Sequence, residues 1–472
     1  MTNYISFLVA ISLLATGCAS GPQEVASLKG AGDDTGIASA EAIKQVEYQE
    51  LVSPELIQPS TVSESTQSLA NTQTPQRLPP AEGLSMESLE QMALSNNPTI
   101  AQSEARVRAL RGKWVQVGLP PNPTAGYVAG EIGNDGAAGQ QGAFVGQDFI
   151  TGKKLQRNRA IVSAEIAKAE QQLAAAQRRV QTDVRQGYYE ALLAQRRVEL
   201  AEELVRITGE AVMSSEALVE AEEIPLAGLL QTEVQQQNAL VLLRTAENGL
   251  SRAWRRLSSV AGGVDLPAQP LAGDIGQMPA SLDWQEQLAR LQTESPEVAA
   301  AMSEVDRARR ALSRACVEAV PDVSTQVSVQ YDDSTDDTIA GVQVGMPIPL
   351  WNRNQGGIRQ AQAEITQAVR NVDRVELDLK RRLAGVFKEY SDAQVTAETY
   401  SNDILPRSQK TFDLVQKGYK QGEVGYLDLL AAQQTFSQTN LAYLDAVGNL
   451  WQSYVRIEGL LLEGSLETTL DR

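Results

Sequence analysis

The chain has 472 residues, a net charge of -18 at pH 7 and 42% hydrophobic residues, of which few are aromatic. This charge disfavours nucleic acid as a partner, because phosphate binding needs clustered cations. The sequence contains no histidine, the commonest metal ligand and the usual base near neutral pH. It also lacks a recognisable catalytic set, cofactor motif or metal-ligand cluster, so we expect a protein that is not an enzyme.

Residues 1–17 have the features of a secretory signal peptide. Their apolar stretch, residues 5–17, has the length of a signal-peptide core and is too short to span a bilayer as a helix. The motif Leu-Ala-Thr-Gly-Cys at residues 14–18 resembles a bacterial lipobox, which predicts lipidation of Cys18. A plain signal peptide with an incidental cysteine is the alternative. Residues 18–84 are rich in Ser, Thr, Gln, Glu, Gly and Pro without periodicity, which predicts a disordered, lipid-anchored tether.

The rest of the chain is a duplicated unit. The segment from Pro121 (Pro-Asn-Pro-Thr-Ala-Gly-Tyr-Val) recurs from Pro321 (Pro-Asp-Val-Ser-Thr-Gln-Val-Ser), and the segment from Glu223 recurs from Glu423. Each copy is predicted to contain a helix, two strands, a very long helix, a tight turn and a return helix. We place the units in this order: first copy 85–262, linker 263–282, second copy 283–463 and C-terminal tail 464–472.

The helices have clear start and stop signals. Ser85 is predicted to cap the first helix, which is interrupted at Asn97 and Pro98; the second copy is interrupted in the same way at Ser295 and Pro296. The long helices carry apolar or small residues at steps of three and four, which is a heptad seam. A helix of about 60 residues would be about 90 Å long, so we expect it to pack against similar helices.

The strands are predicted at about residues 123–150 and 322–350. In the second copy, apolar residues alternate with polar, small or proline residues from Val323 to Val329 and from Val342 to Leu350. Strands of about nine residues fit a tilted transmembrane strand. A β-hairpin that covers a soluble core would show the same alternation. The predicted fold class is therefore mainly α with a small β part, built from long helical hairpins and two β-hairpins.

A membrane-embedded sheet needs closed edges, because unpaired N–H and C=O groups find no water in lipid. Four strands are too few for a barrel, and the smallest bacterial barrels have about eight. If the strands cross a membrane, several copies of the chain must share one barrel. The long helices would then extend that barrel into a tube.

The duplicated order, together with residues 344–358 and 418–430, resembles the TolC-like outer-membrane factors of efflux and type I secretion systems. The resemblance covers about residues 85–463, and the Pro-Ile-Pro-Leu-Trp-Asn-Arg-Asn-Gln-Gly run is most similar to the heavy-metal and cation efflux branch. It implies a homotrimer with a 12-strand transmembrane β-barrel in outer-membrane lipid and a trimeric α-barrel in the periplasm. It also implies two partners, a periplasmic adaptor protein and an inner-membrane pump.

The same resemblance assigns roles to the turn of the second copy. In the family this tip docks the adaptor, and a carboxylate that matches Asp428 constricts the entrance; a second family carboxylate is replaced by Ala431. We expect Tyr426 and Leu427 to face outward, and Gly418, Gly422 and Gly425 to permit the reversal. A plain helix–turn–helix cap explains the same residues. The expected adaptor-docking residues are Gly422, Val424, Gly425, Tyr426 and Leu427.

Two charged clusters and one rival function remain open. The acidic residues of segment 332–337 could bind a cation or form a solvated hairpin loop, and the basic residues between Lys153 and Arg159 could meet lipid headgroups or solvate a helix start. The rival function is a lipid-anchored periplasmic adaptor or coiled-coil scaffold that forms no pore.

Overall fold

The structure, a computed structural model, describes residues 84–133, 136, 138–263, 266, 269–421 and 423–467. The predicted signal peptide, Cys18, the tether before Leu84, Gly422 and residues 468–472 lie outside the described residues.

The described residues are mainly helical, with one small antiparallel sheet, as predicted. The order of elements in the first half recurs in the second half, which confirms the duplication. In chain order the elements are α1 (Met86–Asn96), α2 (Pro98–Gln116), β1 (Thr124–Gly130), β2 (Gln140–Phe149), α3 (Lys154–Glu220), α4 (Leu226–Val260), α5 (Trp284–Glu294), α6 (Pro296–Cys316), β3 (Val323–Asp332), β4 (Asp337–Gly345), α7 (Gln355–Thr399), α8 (Leu405–Lys420) and α9 (Tyr426–Glu458).

The proline interruptions occur where the sequence predicts them. Asn97 is extended between α1 and α2, and its side chain accepts a hydrogen bond from the Thr99 N–H at 3.0 Å. Ser295 does the same between α5 and α6, where it accepts from the Glu297 N–H at 3.3 Å. The following proline occupies the first helical position, where no N–H is needed. Each break therefore starts a new, capped helix.

The long helices of the two copies differ in one respect. In the first copy, α3 runs for 67 residues without interruption, about 100 Å at 1.5 Å per residue. In the second copy, a π-helical turn at Tyr400–Ile404 joins α7 to α8, and the Leu405 N–H donates to the Tyr400 carbonyl oxygen. Pro406, next in the chain, has no N–H to donate, which explains why the regular α-helical ladder changes at this point. The sequence analysis did not predict this turn.

The four strands form one antiparallel sheet in the order β1-β2-β3-β4. The two hairpins are joined because β2 of the first copy pairs with β3 of the second, from Gln140 opposite Asp332 to Phe149 opposite Val323. The prediction that the last strand continues to Leu350 is wrong for this chain. The pairing of β4 with β3 ends at Gly345 opposite Ser324, one residue after the start of β3, so residues 346–350 find no partner strand.

The apolar core lies mainly between α3, α7, the return helices α4 and α9, and the short helices. Tyr390, which is almost fully buried, accepts a hydrogen bond from the Leu282 N–H at 3.1 Å, and Tyr189 stacks on Trp451 with ring centroids 4.0 Å apart. A second cluster, around the stacked rings of Phe412 and Phe436, lies between the two helical hairpins. Burial of each large side chain contributes about 1.5–3 kcal/mol.

The helices of the two hairpins pack in a fixed sequence of neighbours. Helix α4 packs on α3, α3 packs on α9, and α9 packs on both α7 and α8. The order across the layer is therefore α4, α3, α9 and then α7 with α8. Helix α4 lies at one edge of this layer, and the α7–α8 helix lies at the other.

Candidate channel surfaces and hairpin tip

The sheet has one apolar and one polar or small-residue face. Because side chains alternate along a strand, the registers assign each residue to a face. One face is formed by Ala125, Tyr127, Ala129, Ala143, Val145, Phe149, Val323, Val327, Val329, Ala340, Val342 and Val344, together with a few polar residues. The opposite face is mostly polar or small, with three apolar residues, Val128, Phe144 and Ile339. Its other members include Thr124, Gly126, Gly142, Gly146, Ser324, Gln326, Ser328, Gln330, Gly341 and Gln343.

The apolar face is uncovered in the protomer. Val342 is 75% exposed, Val344 66% and Tyr127 67%. A soluble antiparallel sheet would bury such a face against its core and leave the polar face in water. The hairpins therefore do not cover a soluble core within this chain, and that alternative is wrong for the described residues.

None of the helices in the described part of the chain combines the length and the apolar character that a bilayer crossing requires.

The tip of the second copy is a tight turn between α8 and α9. The Glu423 N–H donates to the Gly418 carbonyl oxygen at 2.9 Å, and in the first copy the Glu223 N–H donates to the Leu218 carbonyl oxygen at the same distance. The two tips thus share one closing hydrogen bond. It satisfies a carbonyl group of the last helical turn in each copy.

Two of the glycines predicted to permit the reversal, Gly418 and Gly425, have no left-handed backbone. Gly418 lies within α8, and Gly425 caps α9 with φ -71, so neither needs the left-handed region. Gly418 is required for space, because a Cβ atom there would lie 2.6 Å from Cγ2 of Val424. In the first copy, the left-handed residue of the turn is Glu222, with φ 58.

The two apolar side chains predicted to face outward behave differently. Leu427 does so, with 69% exposure. Tyr426 is half-buried and packs against Tyr419, with ring centroids 6.3 Å apart, so the prediction is wrong for this residue. Both hydroxyl groups are buried without a hydrogen-bond partner among the described residues. Burial, with a smaller effect of Tyr419, raises the pKa of Tyr426.

Asp428 lies in the first turn of α9, and its carboxylate is exposed. It lines a groove of about 510 Å³ between α8 and α9. Ala431 lines the same groove, so the second carboxylate known from the family is absent at this position. The other polar lining residues are Arg407, Ser408, Thr411, Thr435 and Thr439. An exposed carboxylate among hydroxyl groups can attract a hydrated cation without binding it tightly.

The basic residues at the start of α3 neither solvate the helix nor remain available to lipid, apart from the exposed Lys153. Lys154 is 5% exposed, and its Nζ lies 2.9 Å from Oδ2 of Asp322. The Arg157 guanidinium donates to the Ser313 carbonyl oxygen at 3.1 Å, and Arg159 lies 4.6 Å from the centre of the Trp114 ring. These side chains join elements that the sequence alone could not place together.

The acidic segment at the β3–β4 hairpin closes the turn. Asp332 accepts hydrogen bonds from the Ser334 N–H at 2.9 Å and from Nε2 of Gln140 at 3.1 Å, and Asp333 accepts from the Ala138 N–H at 3.0 Å. Within the described ranges, no group of three or more acidic or cysteine side chains could hold a metal ion. Asp336 accepts a hydrogen bond from the Tyr331 hydroxyl group, so three of the four carboxylates stabilise the hairpin ends.

The family model for "Outer membrane efflux protein" matches residues 89–263 and 288–461, the greater part of both copies. The chain belongs to the outer membrane efflux protein family. This confirms the resemblance derived from the repeat and from residues 344–358 and 418–430.

Individual members of the outer membrane efflux protein family show the same similarity. The cobalt-zinc-cadmium resistance protein CzcC of Cupriavidus metallidurans is 24% identical over 378 residues, which cover 80% of this chain and 90% of CzcC. A crystal structure of CusC matches with a TM-score of 0.66 and 18% identity, over 80% of this chain and 92% of CusC. The outer membrane protein VceC of Vibrio cholerae matches with a TM-score of 0.64 and 15% identity, over 80% and 96%. The fold is thus that of known efflux channels.

Proposed function

We propose that the protein is the outer-membrane channel component of a tripartite efflux system. It passively conducts substrates from a complex of an inner-membrane pump and a periplasmic adaptor to the exterior. The observation that carries this proposal is the uncovered apolar face of a sheet whose opposite face is mostly polar or small. A sheet of this kind is suited to lipid on one side and water on the other.

The sheet needs other copies of the chain to close. Strands β1 and β4 are at the two edges, and each pairs with one neighbour only. In lipid, the unpaired edge groups would cost several kcal/mol each, and a closed barrel removes this cost. Three copies with four strands each give the 12-strand barrel of the proposed homotrimer, with the apolar face toward lipid and the polar face toward the pore.

The helices support the same arrangement. Each edge of the helical layer carries exposed apolar side chains, which on α4 recur at helical spacing and on α7–α8 lie along its length. A head-to-tail contact between two such edges, repeated around a rotation axis, closes into a ring. The proposed result is a trimeric α-barrel in the periplasm. The side chains are Leu226, Leu230, Val234 and Val241 on α4, and Leu377, Val395 and Leu414 on α7–α8.

The tip of the second copy is the proposed contact with the adaptor. The exposed side chain of Leu427 supports this role, because an apolar side chain at a solvent-facing turn gains free energy when a partner covers it. Asp428, one residue further on, is the proposed constriction of the channel entrance. Gly422, Val424, Gly425 and Tyr426 are the other proposed adaptor-docking residues of this tip.

Heavy-metal cations are the proposed substrates. The similarity to a cobalt-zinc-cadmium resistance protein over 80% of the chain supports this class, as does the exposed carboxylate of Asp428 at the hairpin tip. Cys18 is the proposed site of lipidation, which would hold the N-terminus at the outer membrane after removal of residues 1–17. Substrate selection belongs to the pump, and the channel is not an enzyme.

Fractionation and a resistance assay test the proposal. The native protein is expected in the outer-membrane fraction, released only by detergent, as a trimer that dissociates on heating. A strain that lacks the protein is expected to lose resistance to divalent transition-metal cations and to regain it with the wild-type chain. A protein released from membranes without detergent, or a monomer, would instead support the periplasmic scaffold.

A further inference from the structure

The strand registers show which residues of β4 direct their backbone N–H and C=O groups to the free edge of the sheet. In an antiparallel pair, the N–H and C=O groups of alternate residues point to the same neighbour. The Asp333 N–H donates to the Gly139 carbonyl oxygen, so odd-numbered residues of β3 point to β2 and even-numbered residues point to β4. Ser324 faces Gly345, which means that odd-numbered residues of β4 point to β3. The even-numbered residues, such as Val342 and Val344, therefore point to the free edge.

The free edge of β1 follows from the same contact. Odd-numbered residues of β2 point to β3, so even-numbered residues of β2 point to β1. Gly146 faces Thr124, and even-numbered residues of β1 therefore point to β2. The groups that remain free belong to Ala125, Tyr127 and Ala129. These are also the β1 residues of the apolar face, as Val342 and Val344 are on β4, so the two edges match in side-chain face and hydrogen-bond phase.

The duplication supplies a template for how these edges meet. The pair Thr124 and Gly146 in the first hairpin is equivalent to the pair Ser324 and Gly345 in the second. Each residue of β1 therefore corresponds to the residue of β3 that is 200 positions later in the chain, and each residue of β2 corresponds to the residue of β4 that is 199 positions later. Inside the chain, the first copy meets the second through β2 and β3. The equivalent contact between chains joins β4 of one copy to β1 of the next.

We propose that a second copy of this chain pairs its β1 with β4 in the register that β2 and β3 show within the chain. Because Val145 faces Val327, Val344 then faces Tyr127 of the second copy. In the same register, Gln343 faces Val128 and Gly341 faces Gly130 of the second copy. This inference rests on the proposed function and specifies the seam that closes the barrel.

The side chains and the prolines fit this seam. Tyr127 and Val344, among the most exposed side chains of the sheet, become neighbours on the lipid side, and aromatic and β-branched residues stabilise each other across strands. Pro347 and Pro349 are odd-numbered, so their backbone nitrogen atoms are on the side of β3, and the lack of an N–H removes no donor from the free edge. In this register Met346 faces Ala125 of the second copy, so the pairing can extend β4 just beyond its end at Gly345. It cannot continue to Leu350, because Ile348 and Leu350 face Pro123 and Pro121 of the second copy, which have no N–H to donate.

Four cysteine positions test the register. Gln343→Cys with Val128→Cys, and Gly341→Cys with Gly130→Cys, are matched pairs in non-hydrogen-bonded positions, where the Cα atoms are about 4.5 Å apart and a disulfide fits. The mismatched combinations are Gln343→Cys with Gly130→Cys and Gly341→Cys with Val128→Cys. They use the same four positions, but their Cα atoms are about 7–8 Å apart in the proposed register. Phe144→Cys with Ser328→Cys, the equivalent pair inside one chain, is the positive control.

The full-length variants are oxidised in outer membranes and run on denaturing, non-reducing gels. Both matched pairs are expected to shift the protein from one to three times the monomer mass, whereas the mismatched pairs and single-cysteine variants remain at the monomer mass. The positive control stays at the monomer mass and loses the thiols of its two introduced cysteines. Cross-linking of a mismatched pair in a native trimer would contradict the proposed register of the seam and leave the proposed channel function intact. A wild-type protein that is not a trimer would overturn both.

Discussion

The ammonium group of Lys154 and the carboxylate of Asp322, 2.9 Å apart, fasten the two copies of the repeat to each other where strands give way to helices. Lys154 begins α3 in the first copy, and Asp322 immediately precedes β3 in the second. Asp322 also accepts a hydrogen bond from the Thr151 N–H at 2.8 Å. The contact therefore fixes the direction in which α3 leaves the sheet.

Asp322→Ala is expected to lower the free energy of unfolding by about 3 kcal/mol, because it leaves the buried ammonium group of Lys154 without a partner. The double variant Lys154→Met/Asp322→Leu should regain only part of that loss, because the Thr151 N–H still lacks its acceptor. Asp373→Ala, which removes an exposed ion pair with Arg370, is the control and should cost less than about 1 kcal/mol. Thermal unfolding in detergent measures all three variants, and equal effects at both sites would contradict the role of the Lys154 contact.

Gly418→Ala is expected to destabilise the hairpin tip by about 1 kcal/mol, because its methyl group would press on Val424 at 2.6 Å. Gly112→Ala, at a helical position with open space around it, should stabilise the chain by about 0.5–1 kcal/mol. Limited proteolysis at the tip, compared with the midpoint of thermal unfolding, would detect the local effect. An alanine at 418 that leaves the rate of tip cleavage unchanged would argue against this close contact.

The contact between Glu304 of the second copy and Lys168 of the first copy is expected to make the stability of the fold depend on pH. Burial alone would raise the pKa of Glu304, but hydrogen bonds from Lys168 and Arg307, at 2.9 and 2.6 Å, outweigh it and hold the pKa below the ordinary value of 4.5. A pKa that is lower in the folded state stabilises the fold above about pH 4.5, and this stabilisation is lost as the pH falls through the folded-state value. Glu304→Gln should therefore melt at a lower temperature than wild type at neutral pH.

The two melting temperatures of wild type and Glu304→Gln are expected to converge as the pH is lowered below the folded-state pKa of Glu304. Unfolding curves at several pH values measure this difference. A gap that stays constant across the acid range would mean that the carboxylate charge of Glu304 does not contribute.

Leu427→Lys is expected to weaken adaptor binding without changing the stability of the protein, because the side chain is largely exposed and a lysine remains solvated there. Co-purification with the adaptor encoded beside this protein, together with the resistance of the host to metal cations, measures the effect. Leu466→Lys, at another exposed leucine far along the chain, is the control. Undiminished adaptor binding by the Leu427 variant would remove this residue from the docking tip.

Asp428→Ala is expected to reduce the preference of the channel for cations, since it removes a carboxylate from the proposed constriction. Reversal potentials in a salt gradient across a planar bilayer give the ratio of cation to anion permeability. Asp428→Glu keeps the charge and should keep the preference. An unchanged ratio in the alanine variant would place the selective charges elsewhere in the tube.

The sequence predicted those elements that local chemistry decides. Pro98 and Pro296 each end one helix and open the next, and the alternation from Val323 to Val329 defines a strand, since neither depends on distant contacts. The family resemblance came from motifs of the same local kind. The exposed position of Leu427 was also predicted correctly.

Features that depend on tertiary distances were missed. The end of β4 at Gly345 is set by where β3 begins, and the burial of Lys154 is set by the position of Asp322 in the other copy. Tyr426 was expected to face outward because it lies next to a turn, but its ring packs against Tyr419 on the preceding helix. The contact of Lys154 with Asp322 and the contact of Tyr426 with Tyr419 could not be predicted from the spacing of these residues along the chain.

Single-channel recording tests most directly whether several copies of this chain close a tube through the outer membrane. Purified wild-type protein added to a planar lipid bilayer is expected to produce discrete, uniform conductance steps with a preference for cations. A protein that is folded and trimeric, but leaves the bilayer electrically silent at all voltages and salt concentrations, would contradict the account.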